Sequence, residues 1–121
     1  MTTPTRPAGG ATFDLSAVEG DVRREEAYRR DGHTARTLVR EPDLRIVLVV
    51  MQAGARIAEH RADKTTSVHA LSGHIRLRLP DRTVDLPSGG LLVLENGLRH
   101  DVEAVEESAF LLTLGRESGS S

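Results

Sequence analysis

The segment SGHIRLRLPDRTVDLPSGGLLVLENGLRHDVEA, residues 72–104, decides the fold. In HIRLRL, Ile75, Leu77 and Leu79 alternate with His74, Arg76 and Arg78. That is the period of two of a strand with one buried face. The run stops at Pro80-Asp81, the next stops at Pro87-Ser88-Gly89-Gly90, and 91–94 stops at Glu95-Asn96-Gly97. Each stop carries residues that favour turns through their backbone conformation or local hydrogen bonds. In HDVEA, His100 shares a face with Val102 and Ala104, and Asp101 shares the other with Glu103.

The same texture extends outward in both directions. Short apolar or alternating runs at 37–40, 44–52, 56–61, 67–71 and 109–114 are separated by Glu41-Pro42-Asp43, Gly54 and Ser72-Gly73. Many short strands with closely spaced turns predict an all-β sandwich or barrel over 34–115. No long helical pattern interrupts them, so a parallel α/β sheet is disfavoured. Neither a repeat nor a second domain is visible. Residues 44–51 and 91–94 are apolar on both faces, so each needs cover on two sides. The N-terminal segment is one source of such cover, a second subunit the more usual one, and a homodimer is the expectation. The first 33 residues read as a flexible arm with a short helix over 16–30, N-capped by Ser16 with Glu19 three residues on. Residues 116–121 read as a disordered tail. The cluster Arg23-Arg24-Glu25-Glu26 with Arg29-Arg30 reads as a solvated face, and His33, after Asp31-Gly32, as a turn residue.

Composition narrows the function. The chain has 121 residues and no Cys, which excludes disulfides, thiolate metal sites and a Cys nucleophile. Its net charge of −2 and its three aromatics, Phe13, Tyr28 and Phe110, give no basic or stacking surface for nucleic acid. The longest apolar run, 46–51, is too short to span a bilayer. The absence of a signal-like N-terminus makes the cytoplasm the expected location. All but Lys64 of the 16 basic residues are Arg, a bias consistent with a GC-rich bacterial genome.

His60 and His100 stand in the most informative contexts. Strict alternation puts Ala58 and Ala62 beside His60, and Val102 and Ala104 beside His100. Two inward imidazoles in a small barrel suit half of a metal site or a proton-transfer pair, and small neighbours leave room for a ligand. His69 and His74 read as surface or interface imidazoles. Arg99, beside His100, reads as rim, with an anchor for a ligand carboxylate or phosphate as the alternative.

These residues resemble the two motifs of the cupin superfamily, whose RmlC-like members are double-stranded β-helices of the jelly-roll type. Gly54, five residues, His60 and the closing Gly73 match the first motif; Gly89, five residues, Gly97 and His100 match the second. The resemblance covers about two-thirds of the chain, from 34 to 114. It implies a site of three His and one Glu around Fe, Mn, Ni, Cu or Zn. Here Ala62 stands for the second motif-one His, Thr66 for the Glu and Glu95 for the motif-two Pro. Only His60 and His100 remain as metal ligands, fewer than the three protein ligands usual at catalytic centres.

The expected function is therefore a small cupin-domain protein that binds a small polar molecule. His60 and His100 would be its polar groups, Ala62 and Thr66 would shape the pocket, and Arg99 would stand at the mouth. Any divalent transition metal would be weakly held. The rivals are a metal-dependent dioxygenase, isomerase or decarboxylase, and a dimeric sensory or structural module. A metal-free epimerase would need a Tyr acid, and Tyr28 lies upstream of the barrel.

Overall fold

The computed structural model describes residues 9–115. The expectations for an N-terminal arm over 1–8 and a tail over 116–121 lie outside them. Two helices, α1 (Leu15–Arg23) and α2 (Glu26–Asp31), precede nine strands. These are β1 (His33–Arg40), β2 (Leu44–Met51), β3 (Arg56–Arg61), β4 (Thr66–Ser72), β5 (His74–Arg78), β6 (Thr83–Pro87), β7 (Leu91–Leu94), β8 (Arg99–Ala104) and β9 (Ser108–Gly115). They form two antiparallel sheets ordered β1-β2-β9-β4-β7 and β3-β8-β5-β6. Among the described residues no helix is long and apolar enough to cross a membrane.

The main core lies between the sheets. Val47, Val49 and Met51 of β2, Ile75 and Leu77 of β5, Val102 and Ala104 of β8, and Phe110 of β9 are all buried there. The intervening residues of β2, Leu48 and Val50, point the other way and are fully buried against Val22, Tyr28 and Ala109. The second cover that β2 requires thus comes from the chain's own helices, not from a second subunit. The two faces of β7 differ. Leu94 is buried, but Leu91 and Val93 are 64% and 55% exposed, so that strand is not covered on both sides.

The helical segment also departs from expectation. It is broken in two, and its N-cap is Asp14, whose side chain accepts from the Ala17 amide. Ser16 lies inside α1 and caps nothing. Glu19 instead accepts from Arg23 and from the Ser72 hydroxyl, a bond of 2.8 Å that fastens α1 to the end of β4. Arg23 is accordingly half-buried, not solvated, whereas Arg24, Arg29 and Arg30 are exposed. His33 opens β1, because Gly32 has already made the turn at φ +82°.

The β4–β5 connection shows how one buried hydroxyl organises a turn. Ser108 is fully buried; its Oγ accepts from the His74 amide at 2.9 Å and lies 2.7 Å from the Glu106 carbonyl, to which it can donate. Ser108→Ala would leave both backbone groups without this partner. We expect it to lower unfolding free energy by about 1–3 kcal/mol, read as a reduced urea midpoint at unchanged slope.

Candidate functional site

His60 and His100 are brought together by strand pairing. They are direct cross-strand partners on β3 and β8, with ring centroids 4.2 Å apart and ring planes at 62°. The register reaches this pairing through a bulge. Ile57 faces Val102 and His60 faces His100, so β3 advances three residues while β8 advances two. The extra residue reverses the alternation that the sequence predicts. Ile57, not Ala58, points inward with His60, and Ala58 is exposed.

Both rings are held by their own strands. His60 Nδ1 lies 2.9 Å from the Ala58 carbonyl oxygen, at the bulge, and His100 Nδ1 lies 3.1 Å from that of Leu98. A carbonyl oxygen only accepts, so each Nδ1 carries a proton and donates it. When neutral, each ring then has a bare lone pair on its distal Nε2. His60 is exposed at the mouth, and His100 is buried at 6% exposure.

The rings open onto a cavity of about 150 Å³. The remainder of its lining is apolar: Val49, Ile57, Val68, Leu77, Val102, Phe110 and Leu112. Of the sequence candidates, only His60 and His100 line it. Ala62 is buried in the main core, and its amide and carbonyl pair with Leu98 and Gly97, which extends the β3–β8 contact. Thr66 is buried, with its hydroxyl donating to the Lys64 carbonyl at 2.7 Å. Arg99 is exposed and faces Arg61 across the strands, on the side away from the cavity. His69 is exposed, and His74 pairs with Asp85 at 2.9 Å on the outer face of its sheet. Tyr28 is buried under the helices, with its hydroxyl bonded to Glu107, on the opposite side of β2 from the cavity. The missed lining residues were partly legible, since Leu77 and Val102 lie on faces that alternation marks as buried. Ile57 was hidden by the bulge.

Burial pushes the His100 imidazole below its ordinary value of 6.5, and the neighbouring His60 adds to the effect. The unfolded chain therefore binds this proton more readily than the folded one. Stability is full above the unfolded value, declines as pH falls through 6.5, and levels off below the lowered folded value. We expect urea midpoints to drop over that window in the wild type and to flatten there in His100→Gln. Asp85 acts in a separate window: hydrogen bonds from His74 and Arg76 hold it below 3.8, so its contribution is lost only at more acid pH.

The donor set does not fit a tightly held transition metal. Among the described residues no group of three or more His, Asp, Glu or Cys side chains is arranged to hold an ion. Beside the two imidazoles the lining is hydrocarbon.

The fold has clear counterparts among solved structures. A cupin superfamily protein from Desulfitobacterium hafniense matches with a TM-score of 0.67 at 16% identity, over 70% of this chain and 78% of its own. A conserved protein of unknown function from Streptococcus pyogenes matches at 0.69 and 23% identity, over 97% and 96% of the two chains. Salicylate 1,2-dioxygenase from Pseudoaminobacter salicylatoxidans, solved with gentisate, matches at 0.75 and 14% identity, over 84% of this chain but 32% of its own. No protein-family model and no curated protein sequence matches the chain. The fold is thus that of the cupins. Among the described residues it is a nine-stranded jelly roll preceded by two short helices.

Proposed function

We propose that this domain binds a small organic molecule in the cavity between its sheets, with His60 and His100 as the polar groups that orient it. The observation that carries this reading is the imidazole pair, 4.2 Å apart, set against an otherwise apolar cavity of about 150 Å³. A dry apolar cavity of about that size accommodates benzene in another protein. The ligand is accordingly small and largely apolar with one polar end, rather than polar throughout. Ala62, Thr66 and Arg99 have no place in direct contact with it. A metal-dependent cupin enzyme would need protein ligands beyond the two imidazoles, and this lining supplies none.

The test is crystallography after soaking with a set of single-ring fragments. Density between His60 and His100 is the expected result. A cavity that stays empty across the set, with fragments elsewhere on the surface, would refute the proposal.

A homodimer belongs to the same proposal, on the β7 half of the footing that the sequence suggested. Its support is now the exposed Leu91 and Val93 on β7, an edge strand. Sedimentation equilibrium is expected to give twice the chain mass, and a lower mass for Val93→Lys.

A further inference from the structure

Resting on the reading above, we infer that the site selects an uncharged single-ring molecule carrying a hydroxyl group, with phenol as the simplest member, over the corresponding carboxylate. The basis is the direction of the hydrogen bonds. Each Nδ1 proton is already given to a backbone carbonyl, Ala58 for His60 and Leu98 for His100. What each neutral ring can offer a ligand is the lone pair on Nε2, an acceptor. Among the described residues neither Nε2 has a hydrogen-bond partner of its own.

A ligand that satisfies such a site must bring a donor. A hydroxyl supplies one, and its ring occupies the space among Ile57, Leu77, Val102 and Phe110. A carboxylate supplies none. Entering the same cavity, it would shed water and meet neutral imidazoles and hydrocarbon, with no cationic side chain in the lining other than a protonated histidine. The nearest guanidinium groups in sequence, Arg61 and Arg99, are exposed. A ring with no polar group fits the volume but leaves the Nε2 lone pairs without a donor. The order of affinity is therefore phenol, then benzene, then benzoate.

The experiment titrates wild-type protein with phenol, benzene and benzoate near pH 8, where imidazoles are neutral and phenols, which ionise near pH 10, are protonated. Calorimetry gives the affinities, and long-range nitrogen–proton spectra follow the imidazole nitrogens. Phenol is expected to bind about tenfold more tightly than benzene, the ratio one net hydrogen bond supplies. The Nε2 resonance of His100 or His60 should shift with phenol and stay in place with benzene. Benzoate is expected to be the weakest of the three. Equal affinities for phenol and benzene with unmoved Nε2 resonances would overturn the inference while leaving the cavity-binding proposal intact. So would benzoate binding more tightly than phenol. If none of the three binds, the cavity-binding proposal fails and this inference fails with it.

Discussion

Gly73→Ala is expected to abolish folding, or to leave a protein with a small fraction of its native stability. Two effects combine at this position. Gly73 sits at φ +76°, a conformation that costs an L side chain roughly 1–2 kcal/mol. An added Cβ would also overlap the Glu107 carbonyl oxygen and the Ser108 Oγ and lie 2.8 Å from the Ser108 Cα. Two of those atoms are backbone, and Ser108 is fully buried, so relief cannot come from swinging a side chain aside. Relief would require separating the β4–β5 turn from the start of β9. Gly54 provides the control. It lies at φ +84° with nothing within 4 Å of a built Cβ, so Gly54→Ala should cost only the conformational part, about 1–2 kcal/mol. Circular dichroism melts of the two variants separate the effects. Equal losses would show that close packing at Gly73 contributes nothing.

Phe110→Ala is the second large effect, expected at about 3–5 kcal/mol. Phe110 is 2% exposed, is the third residue of β9 and faces both the main core and the cavity. Against a typical stability of about 5–15 kcal/mol, the variant would be folded but marginal. The lost ring also enlarges a cavity that already exists, which ties packing to binding. An apolar ring compound should therefore raise the melting temperature of Phe110→Ala more than that of the wild type, because ligand binding to the folded state stabilises it by mass action. Equal small shifts in both proteins would mean that the space left by Phe110 collapses.

Much of the fold was legible because its signals are local. Alternation in HIRLRL and HDVEA, with Gly and Pro at the turns, marks strands that the structure places within a residue or two. The pairing of His60 with His100 was legible by a different route, through motif spacing that matches the cupins. Three features were not legible, each for a physical reason. The bulge in β3 leaves no composition signal, since Ala58 and Glu59 are ordinary strand-compatible residues, yet it exchanges Ala58 for Ile57 in the lining. The choice between the N-terminal segment and a second subunit as cover for β2 is a matter of long-range packing, and two polar-looking helices supply it through Val22 and Tyr28. The near-hydrocarbon character of the cavity depends on the register of several strands, which no single run determines.

The irregularity between Ile57 and His60 lets two residues an odd number of positions apart share the cavity face. Deleting a single residue there, Ala58 or Glu59, would restore uniform pleating to β3 and keep its pairing with β8. Ile57 and His60 would then stand two positions apart and keep facing the cavity together, while the remaining strands kept their places. A domain of this construction can thus lose or regain one codon at this point without turning either imidazole out of the cavity or altering a core side chain.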